Sequence, residues 1–143
     1  MLEIPESDRY QTIAAPATGS YKEKGSKFLA FAYPVSTEGE IKELLAQIKK
    51  EYYDAKHHCF AFRLGPNGTL WRAYDDREPS FSAGKPILDQ MRSANVSDVL
   101  IVVVRYMKGT KLGIPRLTNA YRQAAADALG QSVLVTKSAV KSP

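Results

Sequence analysis

With a single cysteine, Cys59, the chain cannot build an intramolecular disulfide framework or a four-cysteine zinc site, and it reads as a protein of a reducing compartment. Long apolar runs are missing too. The longest, Val99 to Val104, falls far short of the roughly 20 residues that cross a bilayer, and the N-terminus lacks the basic-then-apolar layout of a signal peptide. The expectation is a cytoplasmic location with no membrane contact. Internal repeats, low-complexity tracts and linkers are also absent. At 143 residues there is little room for a second core, so residues 1–143 are expected to form a single domain.

What is present is an ordinary globular composition, 44% hydrophobic and 24% charged. Lysine and arginine number 20 against 15 acidic residues, a net charge of +5. This excess is concentrated in one stretch: Arg105, Lys108, Lys111, Arg116 and Arg122 fall together with no acidic residue between them. The remainder of the chain is close to neutral, which makes this stretch the natural candidate for an anionic partner.

Periodicity organises the rest. Strands are expected at Tyr10–Ala14, Phe28–Val35, Cys59–Leu64, Thr69–Tyr74, Val99–Tyr106 and Ser132–Thr136, with a turn at Pro16–Ser20 and either strand or loop at Tyr21–Gly25. Pro34 pushes its strand toward an end or an edge. Asn67-Gly68 makes a hairpin of the two middle strands. The Val99 strand shows no alternation, which implies burial on both faces. Thr37 and Glu40 have capping-box spacing ahead of an apolar stripe, Ile41, Leu44, Leu45, Ile48 and Tyr52, that predicts a helix ending near Tyr53. Two more helices are expected, one from Lys85 to before Val96 and one from Pro115 to Leu129 with Gly130 as its stop. Met1–Arg9 and Lys137–Pro143 read as a polar lead-in and a frayed end. Strands joined through helices, with an antiparallel hairpin, give an α/β fold of the α+β two-layer kind on a mixed sheet.

Three clusters carry chemistry. His57-His58-Cys59 is either a junction with a small buried thiol, part of a metal site completed by the acidic loop, or a Cys-His pair, since His57 and Cys59 share a strand face. Asp75, Asp76 and Glu78, in a nine-residue loop from Asp75 to Ala83, either hold a hard cation or accept backbone hydrogen bonds around Pro79. The third cluster is the basic stretch, where a buried strand runs through Gly109 and Gly113 into a helix start. Such a junction can bind a phosphate, although no P-loop signature occurs, and a solvated basic surface is the competing reading.

Taken together, several blocks resemble the IMPACT and YigZ family. They are Ser26-Lys27-Phe28, His57-His58-Cys59, Asp75 to Pro79, Ala83 to Leu88, Val103 to Tyr106, Gly109 to Gly113, and Leu117 to Tyr121, and they run from about Tyr21 to Leu129 in the family's order. The resemblance implies a fold like the second domain of ribosomal protein S5, a sheet with helices on one side. It also implies that this chain is too short for the ferredoxin-like C-terminal domain of larger bacterial members. Eukaryotic relatives are linked to translation control through a stress-kinase pathway by protein binding, and nucleic-acid or ribosome association is inferred for bacterial ones. The chain departs from the pattern where the family usually has glycine. Arg77 stands in Asp-Asp-Gly-Glu-Pro, Phe81-Ser82 in Gly-Thr-Ala-Gly, Met107-Lys108 in Tyr-Gly-Gly and Pro115-Arg116 in Gly-Gly-Leu, while Asn119 replaces a basic residue.

The leading expectation is a non-enzymatic regulatory domain that touches RNA or the ribosome through Arg105, Tyr106, Lys108, Lys111, Arg116 and Arg122, with Tyr106 available for base stacking. A protein-interaction module would instead expose an apolar patch. A small phosphate- or metal-dependent enzyme would use Asp75, Asp76 or Glu78 with Lys111. No resident cofactor or metal is expected.

Overall fold

The computed structural model describes residues 9–108 and 111–139. Strands β1 (Arg9–Ile13), β2 (Ala17–Glu23) and β3 (Ser26–Pro34) lead into helix α1 (Glu38–Glu51). The hairpin β4 (His57–Leu64) and β5 (Leu70–Tyr74) follows, then α2 (Gly84–Ser93), β6 (Val99–Met107), α3 (Ile114–Gly130) and β7 (Leu134–Ser138). Five strands form one sheet in the order β2-β3-β6-β4-β5, and β1 pairs with β7 in a separate ribbon.

Every pairing in the five-stranded sheet is antiparallel, so the expected mixed sheet is corrected. β3 and β4 do run the same way, but β6 inserts between them and pairs antiparallel with both. An isolated parallel bridge joins Gln11 of β1 to Val96, which lies in no named strand. The expectation of helices on one side is also corrected. Val99, Ile101 and Val103 face a core built with α2 and α3, whereas Leu100, Val102 and Val104 face a second core that includes Ile41 and Ile48 of α1. All six β6 residues are fully buried, which requires cover on both faces and makes three layers.

α1 begins as its sequence dictates. The Glu40 N–H donates to Thr37 Oγ1 at 3.2 Å, and the Glu40 carboxylate accepts the Ser36 N–H at 3.1 Å, satisfying two donors that a helix start otherwise leaves unpaired. Within the expected turn at Pro16–Ser20, Ala17–Ser20 is instead the first half of β2, where Gly19 has a packing role. A Cβ there would lie 2.3 Å from the Ala128 backbone nitrogen, so the glycine lets α3 approach the sheet. Phe28–Val35 is an internal strand that ends at Pro34. Lys137, expected to be frayed, lies in β7, while the ends at residues 1–8 and 140–143 fall outside the described residues. Among the described residues no helix is long and apolar enough to cross a membrane.

The β1–β7 ribbon is tied to the main fold by Asp98. Its carboxylate accepts from Tyr10 Oη at 2.7 Å, from the Gly65 N–H at 2.9 Å and from Lys137 Nζ. Burial alone would raise the Asp98 pKa, but the donors at Lys137, Gly65 and Tyr10 together hold it below the ordinary carboxylate value. A carboxylate with a depressed folded pKa stabilises the fold above its unfolded pKa of roughly 3.9, and that contribution disappears as pH falls through the folded value. The stability advantage of the native chain over Asp98→Asn should therefore be constant near neutrality and shrink below about pH 4. Denaturant melts across that range measure it; an advantage unchanged at low pH would contradict this assignment.

Candidate functional site: the buried arginine and the acidic loop

On the α2/α3 face of the sheet, Phe28, Arg105 and His57 are lateral neighbours on β3, β6 and β4. Arg105 opens no surface. It is 3% exposed, and its guanidinium lies over the Phe28 ring at 5.4 Å. Nη1 donates to both Glu78 oxygens at 2.8 and 3.0 Å, and Nη2 donates to Ser26 Oγ at 3.2 Å. Arg105 is thus removed from the basic surface expected of it, because an arginine on the inward side of a fully buried strand needs an internal anion.

Glu78 is the hub. Besides Arg105 it accepts the Tyr121 hydroxyl from α3 at 2.5 Å and lies 3.3 Å from His57 Nε2. His57 Nδ1 is 2.7 Å from the Asp76 carbonyl, an acceptor only, so Nδ1 carries a proton. The Cys59 thiol lies 3.4 Å from Tyr121 Oη and 3.2 Å from the Asp75 carbonyl. Burial, eased somewhat by the Tyr121 hydrogen bond, pushes the Cys59 thiol well above its usual pKa and makes it a poor nucleophile. Burial, then the neighbouring Cys59 and Glu78, push Tyr121 up as well, so it stays a neutral donor.

The other two acidic residues hold backbone. Asp75 accepts the N–H groups of Phe81 (2.9 Å), Ala83 (3.2 Å) and Gly84 (2.9 Å), which fixes the start of α2. There Gly84 is required, since a Cβ would sit 2.4 Å from the Tyr74 backbone nitrogen. Asp76 accepts the His58 N–H at 2.7 Å and the Tyr74 hydroxyl at 3.2 Å. His58 points to the opposite face, with Nε2 2.7 Å from the Tyr52 carbonyl. Among the described residues, no group of three or more His, Cys, Asp or Glu side chains is placed to hold a metal ion.

Tyr106 does not join the remaining basic candidates. Tyr106 packs on the α1 side, and its hydroxyl donates to Asp54 at 2.9 Å; burial and then Asp54 push its pKa up to about 12. Lys108 and Lys111 are exposed, as are Arg116 and Arg122 on α3, with Arg116 3.9 Å from Glu23. Gly109 and Thr110, the centre of the expected phosphate cradle, lie outside the described residues.

Sequence reasoning missed a second feature. Between β5 and α2 runs a groove of about 520 Å³ lined by Trp71, Ala73, Leu88 and Phe81, with Lys85 and Arg92 at its rim. Trp71 is 50% and Phe81 74% exposed. The signal was present, since Phe81 is a large apolar residue inside a polar loop.

The fold and this lock define an α/β domain in which an acidic loop is pinned to an antiparallel sheet by a buried arginine. The chain belongs to the IMPACT family: the family model described as "Impact N-terminal domain" matches residues 24–129. It is 37% identical to the IMPACT family member YvyE of Bacillus subtilis, over 78% of this chain and 52% of that protein. It is 35% identical to the IMPACT family member YigZ of Escherichia coli, over 82% of this chain and 59% of that one. A crystal structure of a hypothetical protein superposes with a TM-score of 0.87 at 32% identity, over 92% of this chain and 65% of that chain. The chain thus spans about half the length of the curated relatives it matches.

Glu78→Gln should leave the guanidinium buried without its anion and lower stability by about 3–5 kcal/mol, the range for breaking one side of a buried pair. Chemical denaturation of the two proteins measures this. A loss under about 1 kcal/mol, as is usual for surface pairs, would show that the lock is not a major constraint.

Proposed function

We propose that this domain is a non-catalytic protein-interaction module that serves regulation linked to translation. The observation that carries the reading is the exposed apolar groove at Trp71 and Phe81, because monomeric proteins seldom leave clustered large side chains uncovered without a partner. It lies under α2 at the β5 edge, on a different part of the sheet from α3 and its cations. The link to translation rests on the family resemblance, whose eukaryotic members act by protein binding.

The non-catalytic part of the proposal draws on how the polar groups are used. Asp75, Asp76 and Glu78 each accept hydrogen bonds that hold the fold, and the Cys59 thiol is buried and raised. A second reading, RNA or ribosome contact, is favoured by the exposed Lys108, Lys111, Arg116 and Arg122. Both Arg105, through burial, and Tyr106, through its position on the α1 side, stand apart from such a surface.

The two readings separate on salt and nuclease. We expect bulk transfer RNA to bind weakly, with little effect of charge reversal at Lys108 and Lys111. The immobilised domain should keep a discrete set of proteins from a lysate after nuclease treatment. RNA affinity that falls by orders of magnitude between about 50 and 200 mM salt, together with loss of every captured protein after nuclease, would replace this reading with the nucleic-acid one.

A further inference from the structure

The groove between β5 and α2 has a definable shape. Lys85, Leu88 and Arg92 lie along one side of α2, spaced by three and four residues, and face Trp71 and Ala73, which point to the same side of β5. Phe81 stands at one end. β5 is the last strand of the sheet, and no other strand among the described residues pairs with its outer edge. Natural edges are usually blunted by charge, proline or bulges; this one carries a single cation, Arg72, and otherwise exposes Leu70 and Trp71.

Charge around the groove has one sign in excess. Lys85 and Arg92 share one carboxylate, Asp89, at 2.8 and 4.0 Å. The Asp75 carboxylate at the groove is occupied by three backbone N–H groups. Across the strand pair from Trp71 lies Arg63, whose Nε is buried without a hydrogen-bond partner. Burial, then the charge of Arg92, lower the Arg63 pKa, so two guanidinium groups sit close enough to repel. Arg92 also lies over the Trp71 ring at 5.0 Å, whereas Arg72 is on the other face of β5, 5.8 Å from the Phe60 and Tyr74 ring centres.

Phe81 supplies an independent observation. Its φ is +66°, a left-handed conformation that disfavours a bulky side chain, and the ring is largely exposed. In the isolated domain both properties cost stability, which argues that the ring gains its contacts from another molecule.

We propose that this groove is a docking site for an acidic, extended peptide segment of a partner protein, which adds as a strand to β5 and places alternate apolar side chains between Trp71, Leu88 and Phe81. Backbone pairing along the edge supplies affinity, and the groove selects one face of the peptide, whose residues recur with a period of two. Acidic residues beside those anchors meet Lys85 and Arg92. A second copy of this chain is a poor occupant, because self-pairing of β5 brings Arg72 and its neighbouring cations against their own copies.

This inference rests on the protein-interaction reading above and is tested apart from it. A phage library of short random peptides is selected against the whole chain, and the peptides obtained are titrated while following Trp71, the single tryptophan and hence an unambiguous fluorophore. Enriched sequences should be acidic with alternating apolar residues, should shift Trp71 emission saturably and should weaken as salt is raised. N-methylation along one edge of a selected peptide should abolish binding, while along the other it should be tolerated. Phe81→Gly should weaken binding about tenfold or more yet raise the thermal midpoint, opposite signs that a merely structural residue would not give. Enrichment of basic or helical peptides, no enrichment at all, concentration-dependent dimerisation through β5, or binding untouched by Phe81→Gly would each overturn it. Should nuclease-resistant lysate proteins bind Phe81→Gly as well as the native chain, the interaction reading survives and this groove is not its site.

Discussion

Arg105 is a fixed positive charge inside the domain, and much of the local architecture follows from having to neutralise it. A guanidinium under a helix and a loop is tolerated only with an anion in contact and its donors satisfied. Glu78 meets that demand together with Ser26, and Tyr121 and His57 occupy the flanks of the same carboxylate. Strands β3, β4 and β6, helix α3 and the acidic loop are thereby joined at one carboxylate. The loop cannot move away from the sheet without exposing an unpaired buried charge.

That constraint passes outward to the surface. With Glu78 turned inward, the chain before it must reverse sharply, and Asp76 and Arg77 both adopt left-handed backbone, φ +41° and +68°. Asp75, immediately before, gathers the N–H groups of Phe81, Ala83 and Gly84 and so places the start of α2 against β5. The groove lies between those two elements. Its shape is thus set by a buried ion pair, and its cations, Lys85 and Arg92, are a separate feature carried by α2.

Local signals made much of the fold legible. The capping box and stripe of α1, the Asn67-Gly68 hairpin and the unalternating run of β6 all appear where their residues place them, because each depends on neighbours within a few positions. β2 was obscured because Pro16 and Gly19 look like turn residues, whereas Gly19 is demanded by α3, more than a hundred positions away in sequence. Arg105 was misread for the same reason: its partner Glu78 lies 27 residues away, and proximity to Lys108 and Lys111 suggested a common surface. The double-sided burial of β6 already implied helices on both faces; the resemblance pointed to one side. Trp71 and Phe81 were visible as residues, but only the packing of α2 on β5 brings them together.

The two departures from glycine in the acidic loop acquire a physical meaning from φ. Arg77 and Phe81 stand where the resemblance implies glycine, and both occupy the left-handed region that glycine enters without steric cost. The backbone path is thus one that glycine would follow more easily than the residues present. An arginine and a phenylalanine at such positions destabilise the free domain and bring no buried contact, since both side chains are mostly exposed. Burial of the ion pair explains why the loop holds this path: altering it would strand Arg105. It does not explain Arg77 and Phe81 themselves, because glycine would serve the lock as well or better. Their effect lies on the outside of the loop, where Phe81 adds an aromatic ring to the groove and Arg77 an exposed cation beside Asp76, so a stable internal lock permits a strained exterior.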